Sequence, residues 1–366
     1  MILLAASAFA VELLNVDPDG PFDHSTVQLG GFVQPRFTFM QANVDPAIPG
    51  EVGFSLTRAR LEFAADFWKD TGFQVRTQLG VELMPEARLK DAWVEIGPGR
   101  YARLRAGQMK PPTSRTSIVS DTAVLFGDRP EMADFDHDRE IGVMVLSNLG
   151  EKNLVELQAA AFDGEGANRL SNVDDTLLYA GRVVVSPLGG PGTTGELLDP
   201  DVPATFSVGA SAFANMMGDE GVREMASGLG GELFGHVGPL TAQGEFRMTW
   251  TDWEDVNIVD SSAYGGYGQV GCFLSPIPVV GKHLAVIGRF EQLDPYVPVN
   301  DVPLTGPADD AQERRTIAAG VGVYAGKPLF RTVRDLRAFV YWNLRQENEG
   351  QSYDNDGLIV ASHFGF

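Results

Sequence analysis

Apolar and polar residues alternate with period two along the chain in segments of about ten residues, separated by turn or loop residues, and helical periodicity is nearly absent. One such segment means little, but its repetition is the signature of a barrel whose lipid-facing and lumen-facing side chains alternate. The pattern predicts strands over Val27–Gln41, Phe54–Phe67, Phe73–Leu83, Arg88–Ile96, Ala102–Lys110, Arg139–Ser147, Leu154–Phe162 and Leu177–Ser186. The same rhythm continues over Thr205–Met216, Ala226–Val237, Leu240–Thr251, Ala263–Ser275, His283–Gln292, Thr316–Ala325, Leu336–Gln346 and Gly357–Phe366. The expected fold is therefore all-β, a closed antiparallel transmembrane β-barrel of about 16 strands, a size whose lumen holds water.

The connections alternate in kind. Short ones such as 68–72, 149–153 and Gly238-Pro239 are separated by longer polar ones such as 43–53, 111–138, 164–176, 293–315 and 347–356. Outer-membrane barrels have short periplasmic turns and long external loops, which orients the chain. The exception is Pro187–Ala204, a long Gly/Pro-rich connection where a short turn is expected; an interdomain linker is the other reading, although the strand rhythm resumes directly after it. At the C-terminus, Leu358, Val360, Ser362, Phe364 and Phe366 share one face of a last strand. Outside a closed barrel that strand would be an aggregation-prone edge.

Sorting each strand by parity gives an apolar face, which must meet lipid because charges at mid-membrane cost a few kcal/mol, and a polar face for the lumen. In the second strand Thr57, Ala59, Leu61, Phe63, Ala65 and Phe67 point out, leaving Arg58, Arg60, Glu62 and Asp66 inside. The third sends Arg76 and Glu82 inward, the fifth Arg103 and Arg105. Arg36, Arg182, Arg247, Arg289, Arg337 and Arg345 sort the same way. Permanently charged, fork-shaped guanidinium groups on a wet wall suit transient coordination of oxyanions. The competing reading is that they pair with lumen acids such as Glu62, Glu82, Asp91, Glu95, Glu245 and Glu291 and form a rigid hydrated lining.

Composition narrows the function classes. Within the 366 residues no apolar stretch reaches the roughly 18 to 20 residues of a membrane helix. The net charge of -21 argues against nucleic acid as a partner, since such binders need a basic face. The acidity concentrates in the connections. Cys272 is the single cysteine, so neither an intramolecular disulfide nor a cysteine-based metal site is available. Ile2–Ala10, ending in the small-x-small Ala8-Phe9-Ala10, has the form of the apolar core and cleavage site of a secretory signal without its basic n-region; an ordinary N-terminal strand is the alternative. The expected organisation is a signal remnant over 1–10, a periplasmic segment over 11–26 and the barrel over 27–366.

The five histidines show no metal-ligand spacing, and no Gly-x-Ser-x-Gly elbow occurs. The Asp354–Gly357 run lacks the further ligands of a calcium loop. No cofactor, metal or catalytic residue is expected, and a diffusion porin stands ahead of a structural barrel in an envelope assembly and of a barrel enzyme.

Phe54-Ser-Leu-Thr-Arg-Ala-Arg-Leu-Glu-Phe63, Leu89-Lys-Asp-Ala-Trp-Val-Glu95, Arg105-Ala-Gly-Gln-Met-Lys-Pro111 and Asp138-Arg-Glu-Ile-Gly-Val143 resemble the phosphate-selective porin O and P family. The resemblance implies a sixteen-stranded barrel in the bacterial outer membrane, in contact with its lipid and lipopolysaccharide, usually a trimer, with small anions or other solutes in transit. It also implies a third external loop, here 111–138, folded into the channel as a constriction. Lys110 falls on the lysine of the family's Gly-Gln-Phe-Lys motif, with Met109 in place of Phe, and Arg129 and Arg139 fall on basic positions around the loop. The charged candidates within it are Arg115, Asp121, Asp128, Arg129, Glu131 and Asp134. The loop departs from the family in containing no lysine and much aspartate. Such acids facing Arg58, Arg60, Arg76, Arg103 and Arg105 set up the transverse field of a general porin.

Overall fold

The computed structural model describes residues 22–40, 52–84, 86–169, 171–190, 196–219, 222–253, 261–275, 277, 281–298, 313–326, 335–347 and 356–365. Sixteen strands follow one another as β1 (His24–Met40), β2 (Val52–Trp68), β3 (Phe73–Met84), β4 (Arg88–Pro98), β5 (Arg103–Met109), β6 (Glu140–Leu149), β7 (Val155–Phe162) and β8 (Leu178–Val185). The second half comprises β9 (Thr205–Asp219), β10 (Val222–Val237), β11 (Leu240–Trp253), β12 (Ser261–Phe273), β13 (Leu284–Pro298), β14 (Arg314–Gly326), β15 (Asp335–Glu347) and β16 (Gly357–Gly365). Each pairs antiparallel with its neighbours, and β16 returns to β1 through pairs such as Val33↔Phe364 and Phe37↔Val360, closing the barrel. Closure removes the last free edge, so over the height the strands share each backbone pairs on both sides within the sheet. Among the described residues no helix is long and apolar enough to cross a membrane.

The parity of the strands is visible in their exposure. Leu61, Leu79, Val145, Tyr179, Phe246, Val286 and Leu344 are exposed, whereas Arg60, Glu82, Glu95, Arg182, Arg247 and Glu291 are buried. This is the reverse of a water-soluble protein, and it is what an apolar outer belt around a charged interior requires. A register shift opposite Gln34/Pro35 places Thr57 at a bulge, so the outward face of β2 runs through Val52, Phe54 and Leu56 before the bulge and through Leu61 after it.

The strands match the expected segments to within a few residues; β2 and β9 to β11 run longer, whereas β5 and β8 stop one residue short at each end. β1 begins at His24, inside the stretch expected to precede the barrel, and β9 and β10 extend until only 220–221 separates them. The segment expected to be a signal remnant lies outside the described residues. One mouth carries the short 69–72, 99–102, 150–154 and 238–239 connections and the end of β16; the opposite mouth carries 110–139 and 163–177. Connection 186–204 keeps its exceptional length at the short-turn mouth.

The lumenal face is not uniformly polar. Trp93, Met144, Leu146, Phe162, Leu178 and Phe213 form one buried apolar cluster on β4 to β9. A second joins Leu125 and Phe126 of the β5–β6 connection to Phe273, Ile287, Phe339, Tyr341 and Ile359. Period two identifies which residues face inward, but it does not identify those that another chain segment then covers.

Candidate functional site

The interior is built from guanidinium–carboxylate pairs whose partners stand on adjacent strands or on the β5–β6 connection. Arg60 donates to Glu82 at 2.7 Å and to Asp121 at 2.9 Å. Arg129 donates to Asp121 at 2.9 Å, and Arg58 stands 4.0 Å from it while donating to Gln34. Arg36 donates to Asp128 at 2.7 Å, and the Tyr341 hydroxyl donates to the same carboxylate. Burial alone would raise the Asp121 carboxyl, but Arg129, Arg58 and Arg60 hold it well below its ordinary value.

On β3 to β5 the balance differs. Glu95 receives Arg105 at 2.7 Å and Arg103 at 3.2 Å, with Arg76 at 3.8 Å. Arg76 is also shared with Asp66 at 3.1 Å. The Glu95 side chain is 2% exposed and that of Arg105 21%, so the carboxylate lies behind the guanidinium groups it binds. Arg105 also stacks 4.0 Å from the Trp93 ring centroid, which fixes its plane by a cation–π contact. Arg58 repeats the arrangement, 30% exposed against 7% for Asp121.

The remaining candidates are committed elsewhere. Arg247 pairs with Asp136 and donates to the Thr113 carbonyl, and Arg289 meets Glu291 at 2.6 Å. Arg345 and Arg314 stand at 3.8 and 3.2 Å from Glu131, whose backbone N–H donates to Glu291. Arg337 lies 5.9 Å from the Tyr324 ring centroid, and Arg115 is buried over Phe234. The Asp134 side chain lies outside the described residues. Lys110 donates to the Ser117 and Val119 carbonyls, and burial, then Arg129 and Arg139, lower its pKa well below the ordinary lysine range. Its amino group therefore holds the C-terminal end of the short helix α1 (Arg115–Ile118).

The 110–139 segment thus bonds to strands all around the barrel. Besides β1 and β2 it reaches β11, where Glu245 accepts from the backbone N–H groups of Arg115 and Thr116 at 3.1 and 2.8 Å. It reaches β4 through Lys90 and Asp138 at 2.9 Å, and β9 through an edge contact of His137 with Phe213. Asp138 is held down to about 2; burial opposes this, and Arg139 with Lys90 outweighs it. Burial pushes His137 the same way, to about 4.

That shift has a pH consequence. His137 is neutral when docked but protonates near 6.5 once released, so its contribution to docking is full above 6.5 and fades as pH falls towards about 4, by up to ~3 kcal/mol. Channel recordings are expected to become noisier over that window, and His137→Phe should remain quiet. Equal acid noise in both proteins would show that His137 is not the titrating group.

Residues 27–278 match the family of phosphate-selective porins O and P, which is more than half of the chain. The chain belongs to this family. It is accordingly a porin for passive diffusion, placed in the bacterial outer membrane. A comparison with curated proteins returns no match. Among solved structures the porin is similar to the anion-selective porin from Comamonas acidovorans, at 12% identity and a TM-score of 0.63 over 94% of this chain and 100% of that one. OmpT of Vibrio cholerae follows at 10% identity and 0.59 over 97% and 100%. The outer membrane channel DcaP of Acinetobacter baumannii gives 14% identity and 0.59 over 93% and 97%. At these identities the likeness is one of fold. Asp136 and Glu196, which bind interior partners, carry no sequence signal beyond being acids in connections.

Proposed function

We propose that the porin conducts small anions in preference to cations, through a passage along the β2–β5 wall that the 110–139 segment narrows, and that three copies assemble as is usual in the family. The observation that carries the preference is Glu95: three guanidinium groups surround one carboxylate and lie on its solvent side. A solute meets the cations first, and the low dielectric behind them strengthens their field. The similarity in fold to an anion-selective porin supports the same direction.

A tight phosphate site is not part of the proposal. Lys110 is turned onto backbone carbonyls and Arg129 onto Asp121 and the Val119 carbonyl, so both spend most of their donors within the connection and present no open fork to a phosphate. The test is the reversal potential of the reconstituted protein in a salt gradient, with chloride and then phosphate as anion. Wild-type channels should reverse in the anion-selective direction with either, and Arg103→Ala/Arg105→Ala should lower the anion/cation permeability ratio about threefold. A cation-directed potential in the wild type would overturn the preference.

A further inference from the structure

The long 186–204 connection starts at the short-turn mouth, yet Glu196 is 1% exposed and bonded to the 110–139 segment that entered from the opposite mouth. The Glu196 backbone N–H donates to the Ala123 carbonyl at 3.0 Å, and its carboxylate accepts from the Leu125 N–H at 2.6 Å. Gln269 of β12 donates to that same carboxylate oxygen at 2.7 Å. Tyr324 of β14 donates to the Leu125 carbonyl at 2.7 Å. The Leu125 and Leu197 side chains lie together over Gly271, where an added Cβ would come within 2.8 Å of both. The base of the connection is fastened separately: Leu198 N–H donates to the Thr241 hydroxyl at 3.3 Å, and His236 bonds both Thr241 and the Val202 carbonyl.

We propose that the 196–202 stretch is a clasp that holds the 123–126 part of the β5–β6 connection against the β12–β16 wall, and that Glu196 is the positioning residue that keeps the passage on the β2–β5 side open and constant in width. The chemistry favours a clasp over incidental contact. A buried carboxylate bridging a backbone N–H and a side-chain amide gains strength in low dielectric and leaves costly unsatisfied groups when broken. It joins segments more than seventy residues apart, so it fixes a position that neither segment dictates locally. It also accounts for the exceptional length of 186–204, since a short turn would not reach Ala123, Leu125 and Gln269.

The proposal rests on the 110–139 segment being the constriction, and the test separates the two. Single-channel recordings compare wild type, Glu196→Ala and Glu196→Gln, each shown to be a folded barrel by its heat-modifiable gel mobility. Glu196→Ala should give conductance altered by about twofold with frequent brief closures, because a released segment wanders across the passage. Glu196→Gln, which keeps an oxygen acceptor for the Leu125 N–H, should restore quiet, wild-type-like openings. Steady wild-type conductance in a folded Glu196→Ala barrel would overturn the clasp while leaving the porin reading intact. A wild type that never conducts would instead overturn the passage itself.

Discussion

Replacing Asp121 with alanine is expected to raise the anion/cation permeability ratio several-fold and to make the channel flicker. Asp121 is the acid through which the β5–β6 connection grips the β2 wall: Arg60 and Arg129 both donate to it at 2.9 Å, and Arg58 stands at 4.0 Å. Its loss leaves the interior one charge more positive and leaves buried Arg60 with Glu82 and Glu62 alone. Breaking a buried ion pair from one side costs ~3 kcal/mol, because the stranded charge cannot return to water. That amount multiplies the released population by roughly two orders of magnitude. Selectivity and noise are therefore coupled in this variant, whereas in Arg103→Ala/Arg105→Ala the ratio should fall without added noise, because the ion pairs of Glu95 run to β3 and β5. Reversal potentials and open-channel noise recorded on the same channels check both halves. An Asp121→Ala channel that is quiet and unaltered in selectivity would mean that this acid neither screens the passage nor holds the connection.

The barrel itself was legible in the sequence because period two is a geometric necessity of a strand between lipid and lumen: Leu61 beside Arg60 and Glu62, or Leu104 between Arg103 and Arg105, can face only one way each. The bulge at Thr57 shows the limit, since one extra residue reverses parity without a compositional mark. Which charge meets which is a matter of register, and register is decided across strands. Glu95 faces Arg105 as a direct cross-strand pair and Arg76 as the other, and nothing within either strand encodes that coincidence. The choice between a free basic wall and a paired one was thus open to the sequence and is resolved into pairs, with the guanidinium outermost at Glu95 and at Arg58 and the carboxylate outermost at Arg36–Asp128 and Arg182–Glu156. The apolar residues facing inward, such as Ile287 and Phe339, become intelligible only with Leu125 and Phe126 laid over them.

Phe126→Ala is expected to separate the stability of that connection from the stability of the barrel. Phe126 is fully buried, meets Tyr341 edge to face at 5.2 Å between ring centroids, and carries the Arg289 guanidinium 4.6 Å over its ring. Truncating a buried phenylalanine costs about 3 to 5 kcal/mol in ordinary cores, partly through the cavity left behind. Here the loss falls on one side only. The cluster lies between the connection and the inner wall, while the barrel is held by sixteen antiparallel ladders that Phe126 does not join. The heat-modifiable transition of the barrel should therefore stay close to wild type. The 119–135 stretch should become open to limited proteolysis, since cleavage of a locally released segment follows its opening free energy rather than the global one. A barrel that melts much earlier, with no change in proteolysis at its folded temperature, would show instead that the interior cluster is a core of the barrel and that the connection is part of its fold.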